Sequence, residues 1–504
     1  MMPGLSLSEL VARGVPARIA GDASTVVSGV TRDSRTVKPG DLFAALPGAK
    51  ADGLTFVAEA KERGAVAVLA ARAFDGGLPT LLADDPGLAL SIAAERLYGD
   101  PTASLAVVGI TGTNGKTTST RLVESILKGT GARPAILGTG YFRAPGIDEA
   151  TAFTTPFGDD LSRCARRAVE AGATHLVMEV SSHGLDQHRV DAVRFAVAGF
   201  TNLTQDHLDY HGTMEAYGAA KARLFTELAP ATSVLNVDDA FGQALASRAR
   251  GRVIRCSKRP DADAEIRVLA WTMDREGIRA TVETPAGRAE LESPLVGTHN
   301  LENLLVALGV AVGLGLPLDG VVHALRTARG AEGRLERVED PRGVAVLVDY
   351  AHTPDALARV LAALRPLTKG RLFVVFGCGG DRDRTKRPKM GRAAAEAADV
   401  LVITSDNPRT EVPSAILAEI EPGVREGSCP MVAEGELGEA KRGYVVVEDR
   451  ARAIELALLA AREGDTVLLA GKGHEDYQIV GTVKRPFDDR VEARKVIERL
   501  GGKS

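Results

Sequence analysis

The sequence predicts an α/β protein of three domains whose central sheet is mostly parallel. Its 504 residues exceed what one hydrophobic core ordinarily organises. Apolar runs of strand length alternate with helix-patterned stretches, the mark of parallel strands covered on both faces. Many of the later runs end in loops carrying Gly, Asp, His or Arg, at the strand ends where open sheets bind ligands.

The first block, residues 1–104, holds short apolar runs such as 65–71 (AVAVLAA) between Gly- and Asp-rich turns. That rhythm predicts a small α/β domain closed by the turn-like Tyr98-Gly-Asp-Pro-Thr102. The second block, 105–332, opens with a strand over 105–110 (LAVVGI), a glycine-rich turn and a helix from Lys116 to about Lys128. Leu122, Val123, Ile126 and Leu127 give that helix an apolar stripe, and Gly129 stops it. Further buried strands follow at 175–180, 196–200 and 233–236. The third block, 333–504, repeats the alternation with strands at 344–348, 372–376, 400–404, 444–447 and 466–470.

Composition narrows the function classes. Apolar residues make up 45% and charged residues 25%, the profile of a soluble globular chain. A net charge of −4 supplies no general field toward nucleic acid or anionic lipid. The basic run 382–389 (RDRTKRPK) is interleaved with Asp381 and Asp383 and suits an acidic small molecule better than a nucleic acid. The four cysteines are far apart without a CxxC pair, which fits a reducing compartment. The first residues lack a charged segment followed by an apolar one, so no signal peptide is expected. The most apolar stretch, 304–318, is shorter than the roughly 20 residues of a spanning helix and reads as a buried helix and a turn. A cytoplasmic monomer without membrane insertion is the expectation.

Chemistry concentrates in two segments. Residues 109–118 (GITGTNGKTT) lie between a predicted strand and a predicted helix. Such a turn aims backbone N–H groups of Gly112, Thr113, Asn114 and Gly115 and a helix N-terminus at phosphate oxygens. Lys116 adds a point charge, Thr117 a hydroxyl suited to Mg²⁺, and Thr118 completes the run. A strict Walker loop has Gly at position 110, where this chain has Ile. A bland glycine turn is the alternative; strand, GK[ST] core and helix in succession favour an ATP site.

The second segment is 200–211 (FTNLTQDHLDYH), followed by a helix that Thr213 can cap. On that helix Met214, Tyr217, Leu224 and Leu228 share one face, and Lys221 sits on it too. A lysine there can snorkel to solvent. Buried instead, its amine loses its proton near neutral pH and becomes able to capture CO₂ as a carbamate. Glu179 and His207, each past a strand end, stand ready as hard-metal partners.

These residues resemble the Mur ligase family along essentially the whole chain. The resemblance rests on the phosphate loop, Thr154-Thr-Pro156, Glu179-Val-Ser-Ser-His183, Thr201-Asn-Leu203, His207-Leu-Asp209, Lys221, His299-Asn-Leu-Glu-Asn303, Gly333-Arg-Leu-Glu336 and Asp349-Tyr-Ala-His352, in that order. It implies an N-terminal UDP-binding domain, a central P-loop ATPase domain and a C-terminal Rossmann-like domain that takes an amino acid. It also implies ATP as co-substrate, two Mg²⁺ ions and N6-carboxylysine at Lys221. Thr117 and Glu179 would hold one ion, with His207 and the Lys221 carbamate at the other. Asn300 would meet adenine, Asp349 the ribose and Arg334 the phosphates. Thr154, Thr155, Ser181, Gln187 and Arg189 would grip the sugar-peptide, and Ser34 its uridine end. Leu54 departs from the His that relatives often carry.

Within the family, Gly379-Gly-Asp381, Lys386-Arg-Pro388, Asp406-Asn-Pro-Arg409 and Gly471-Lys-Gly-His-Glu475 are similar to the branch that adds meso-diaminopimelate to UDP-N-acetylmuramoyl-L-alanyl-D-glutamate. Arg387, Asp406, Asn407, Arg409, Gly471 and Glu475 would surround that amino acid; lysine-adding relatives lack the arginine of Arg409. The same reaction with lysine, a folylpolyglutamate-type ligase and a P-loop switch ATPase are the competing readings.

Overall fold

The computed structural model describes residues 4–48, 51–274, 276–330 and 333–501. The first residues of the chain and residue 332, where the second block was expected to end, lie outside them. The architecture is α/β and is built on three main sheets.

The chain forms two compact units. One comprises Met1–Trp271, Ala280–Glu292 and Leu301–Ala328; the other comprises Thr272–Arg279, Ser293–Asn300 and Arg329–Ser504. In the first unit, a five-stranded sheet runs from Arg18–Ala20 at one edge to Gly29–Thr31 at the other, with Ala67–Ala70 at its centre. Leu42, Leu69, Leu81 and Leu90 are buried on one face of it; Phe43, Val57 and Val68 are buried on the other.

The eleven-stranded sheet places Ala106–Thr111 between His175–Glu179 and Phe195–Phe200, both parallel to it. Register pairs Glu179 with Ile110 and Phe200 with Thr111. The carboxyl ends of the three strands therefore align, which brings the loops that follow them to one side of the sheet, where open α/β sheets bind ligands. Each strand expected here is present within a residue of its expected ends. Hairpin strands Tyr141–Ala144 and Ile147–Glu149, and the strands Ile266–Asp274, Gly277–Thr284 and Gly287–Ser293, extend the sheet beyond the expected βα alternation.

One expectation is corrected. The helix Lys116–Gly129 includes Gly129, and the left-handed residue beyond it is Gly131, with φ +84°. Gly129 is small for a packing reason: a Cβ there would lie 2.5 Å from the Ala324 Cβ of the helix Leu318–Leu325. The apolar stretch at 304–318 forms part of the helix Thr298–Gly313 and the turn after it.

In the second unit a six-stranded sheet runs Glu336–Val338, Ala345–Asp349, Thr466–Ala470, Leu372–Phe376, Val400–Ile403 and Gly443–Val446. All neighbours are parallel except the first pair. Register sets Asp349 beside Ala470 and Phe376 beside Ile403, so the loops that follow them share one edge. Leu357, Met390, Ile420 and Leu468 fill one face of this sheet, and Ile454, Leu469 and Val496 fill the other. Among the described residues no helix is long and apolar enough to cross a membrane.

Candidate active site

The phosphate loop is held in shape by the neighbouring strand end. Thr113 N–H donates to Asn202 O at 2.8 Å, Asn114 N–H donates to Asn202 Oδ1 at 3.0 Å, and Thr201 Oγ1 donates to Asn114 O at 2.6 Å. Gly112 has φ +151°, and a Cβ there would collide with Thr201 Oγ1. Gly115, at φ +85°, starts the helix Lys116–Gly129 without a side-chain cap, so the positive end of the helix dipole lies at the loop. The Lys116 ammonium donates to the carbonyls of Gly112 and Thr113, each at 2.9 Å.

Glu179 is almost fully buried and has four short contacts. Its carboxylate accepts from Thr117 Oγ1 at 3.0 Å, Thr139 N at 3.1 Å, Tyr141 OH at 3.2 Å and Thr139 Oγ1 at 3.3 Å. A hydroxyl and a carboxylate this close beside a phosphate loop fit the hard-oxygen donor set of Mg²⁺. Among the described residues no three His, Cys, Asp or Glu side chains converge as a ready metal cluster. Substrate oxygens and water complete a Mg²⁺ shell in such sites.

Lys221 is 1% exposed. Its Nζ donates to Gly112 O at 2.9 Å and lies 4.6 Å from the Tyr217 ring centroid. Burial, reinforced by the charge of Lys116, holds its amine well below the usual lysine range. The structure thus rejects the snorkelling alternative. The helix Met214–Thr226 is capped by Thr213, whose hydroxyl accepts from Ala216 N. His207, at φ +51°, packs its ring 6.0 Å from Tyr217 and 5.0 Å from His183.

The expected sugar-peptide residues are gathered in the first unit. Thr155 Oγ1 donates to Glu179 O and accepts from Ser181 N, both at 2.9 Å. Ser181 Oγ accepts from Gly184 N at 3.0 Å, and Thr154 Oγ1 is 3.0 Å from Thr139 Oγ1. Arg189 donates to Thr155 O at 2.7 Å and to Gln187 Oε1 at 2.6 Å, and stacks 3.7 Å from the Phe157 centroid. Burial lowers its pKa to about 10, so it keeps its charge at neutral pH. Arg32, which sequence reasoning missed, stacks 4.3 Å from the same ring and pairs with Asp160. Ser34 donates to Glu59 at 2.8 Å.

The remaining expected residues belong to the second unit. Asn300 Nδ2 donates to Val296 O at 2.8 Å, and the Arg334 guanidinium lies 5.0 Å from the Tyr350 centroid. Asp349 accepts from Leu335 N and Ala351 N, each at 2.8 Å. Burial raises the Asp349 pKa against the opposing pull of Arg334 and these N–H groups.

Asp406, Asn407, Arg409, Gly471 and Glu475 meet at the edge of the six-stranded sheet. Asn407 Nδ2 donates to Glu475 Oε2 at 2.9 Å, and Gly471 turns at φ +116°, where an added Cβ would lie 3.7 Å from the Asp406 carboxyl carbon. Arg409 has φ +51° and donates to Gly380 O at 2.8 Å. Arg387 is fully buried and bonded to Glu411, Glu419 and Gly379 O, beneath the same loops. Lys472 was also missed, though a lone lysine between two glycines after a buried strand is a visible signal.

Comparisons with known proteins agree along the length. Residues 26–78 match the Mur ligase family catalytic domain, 110–311 the Mur ligase middle domain and 333–473 the Mur ligase glutamate ligase domain. A UDP-N-acetylmuramoyl-L-alanyl-D-glutamate--2,6-diaminopimelate ligase of Gloeobacter violaceus is 46% identical over 504 residues, 99% of each chain. The protein of that name from Synechococcus elongatus is 48% identical over 482 residues, 93% of each chain. A solved structure of a ligase with the same name superposes with a TM-score of 0.74 at 34% identity, covering 99% of this chain and 100% of that one. With family matches across all three sheets and a similar fold throughout, this chain belongs to the Mur ligase family.

Proposed function

We propose that this protein is an ATP-dependent ligase that joins meso-diaminopimelate to the D-glutamyl carboxyl of UDP-N-acetylmuramoyl-L-alanyl-D-glutamate, in the cytoplasmic synthesis of cell-wall precursor. One observation carries the reading: a phosphate loop beside a buried, easily deprotonated lysine occurs in the same chain as a strand-end cluster of acids, amide and arginine suited to an amino acid. Near full-length identity to relatives bearing that activity in their names supports it. Domains over 1–104, 105–332 and 333–504 belong to the same proposal.

The chemistry follows from charge. A carboxylate is a poor electrophile, so its oxygen attacks the γ-phosphorus of ATP and ADP leaves. The loop N–H groups and Lys116 neutralise charge on the transferring group. Two Mg²⁺ ions, one held by Thr117 and Glu179 and one by His207 and carbamylated Lys221, would screen the phosphate oxygens. Asn300, Arg334 and Asp349 complete the nucleotide contacts in this reading, and Ser34, Thr154, Thr155, Ser181, Gln187 and Arg189 hold the UDP-sugar-peptide. The free amine of diaminopimelate, held by Arg387, Asp406, Asn407, Arg409, Gly471 and Glu475, then attacks the acyl phosphate. Phosphate departs and the amide remains.

The test is substrate dependence. ADP release should require both UDP-N-acetylmuramoyl-dipeptide and meso-diaminopimelate, and product mass should increase by one diaminopimelyl residue. ADP release without the amino acid would reveal a hydrolase instead.

A further inference from the structure

Lys472 follows the buried strand Thr466–Ala470 and is itself fully buried. A buried ammonium is costly unless anions or acceptors surround it. Three do: Asn407 Oδ1 at 3.4 Å, Glu475 Oε2 at 3.5 Å and Asp406 Oδ1 at 3.6 Å. These belong to three of the residues assigned above to the amino acid. The Tyr477 ring lies 5.7 Å from the ammonium and forms an aromatic wall. Asp406 Oδ1 is buried and accepts no hydrogen bond among the described residues, so the Lys472 ammonium is the cation that offsets it.

The charges define what the pocket can take. Asp406 and Glu475 contribute two negative charges, and Lys472 offsets one. Arg409, whose backbone is anchored to Ile479 and Gly481, adds a separate positive charge on the same group of loops. A ligand end bearing one ammonium and one carboxylate matches this arrangement; an end bearing an ammonium alone leaves Arg409 unmatched.

We infer that Lys472 is a specificity-determining positioning residue: it holds Asp406, Asn407 and Glu475 together and sets the subsite charge to match a zwitterionic substrate end rather than a cationic one. The inference rests on the diaminopimelate reading above. Removing the lysine makes the subsite one charge more negative, which favours a cationic competitor relative to a zwitterion.

The experiment compares kcat/KM for meso-diaminopimelate and L-lysine in the full-length protein and in Lys472→Met and Lys472→Arg. Lys472→Met should lower the diaminopimelate-to-lysine ratio by tenfold or more, while KM for ATP and for the UDP-dipeptide stays within about twofold. Lys472→Arg, which keeps the charge, should retain most of the ratio. Loss of both activities in equal proportion would mean a purely structural lysine and overturn the inference. Should Lys472→Met fail to fold, ¹⁵N-lysine NMR of the unmodified protein decides: a protonated Lys472 side chain at pH 7 supports the charge assignment, and a neutral amine overturns it. If the unmodified protein does not use diaminopimelate at all, the proposed function itself has failed; if it does and the ratio is unmoved, only the role of Lys472 has.

Discussion

Lys221 shows how far a single residue can be read. Its place on an apolar helix face left burial and snorkelling both open, and only the structure puts its Nζ against Gly112 O. A buried amine that the fold keeps below its ordinary pKa is a stability cost retained for function. Replacing it with methionine should abolish turnover yet raise the melting temperature of the ligand-free protein in CO₂-free buffer. The pH dependence has a definite sign. An unfolded lysine keeps its proton up to its ordinary pKa of 10.5, while the folded amine, desolvated by burial, releases it lower. Between those values the unfolded chain binds more protons, so stability rises with pH in the unmodified protein, and that rise should flatten in Lys221→Met. A variant with normal turnover, or an unchanged pH slope, would refute the role. Arg32 escaped the sequence because nothing in its spacing reveals what it touches, and Lys472, though visible between two glycines, gives no sign there of its partners. Their importance lies in contacts with Phe157 and with Asp406, Asn407 and Glu475, which only folding creates.

At the scale of elements, buried parallel strands were legible because both faces are apolar and each run is bounded by turn residues. The added edge strands were not. Ile266–Asp274 is buried or half-buried over its first four residues and then runs mostly into solvent, and Tyr141–Ala144 is short and carries Arg143, so neither reads as a buried strand bounded by turns. The phosphate loop was legible as a motif, but the reasons for its glycines were not. Gly112 must reach φ +151° and clear Thr201, so Gly112→Ala combines backbone strain with a steric clash. Affinity for ATP should fall at least tenfold in that variant. Gly129→Ala, at the far end of the same helix, provides the contrast. Its methyl group would press on Ala324, costing about 1–3 kcal/mol from overpacking against a propensity gain of at most about 1 kcal/mol. Its melting temperature should drop while its ATP affinity holds. Equal ATP affinity in Gly112→Ala and the unmodified protein, measured by calorimetry, would mean that the loop does not bind phosphate.

On the scale of the whole molecule, the proposed function assigns different chemical tasks to different sheets. The resemblance supplied that plan, and the α/β alternation made it physically reasonable; the substrate-facing assignments of Ser34, Thr154 and Gln187 had no basis in spacing alone. Arg189 and Arg409 are the two guanidiniums on which this division can be tested. Arg189 lies in the first unit, fixed by Thr155 O, Gln187 and the Phe157 ring, and Arg409 lies in the second, fixed by Gly380 O. They share no hydrogen-bond partner among these contacts, so the effects of removing them should combine independently. Arg189→Met should raise KM for the UDP-dipeptide by tenfold or more and leave KM for diaminopimelate nearly unchanged. Arg409→Ala should do the reverse, because a carboxylate that loses a bidentate partner loses a charge-assisted pair worth more than a neutral hydrogen bond. In the double variant the two losses in kcat/KM should add to within about 0.5 kcal/mol when expressed as free energies. A double variant no worse than either single one would show that both arginines act on one shared step, and the assignment of separate substrates to separate sheets would fall.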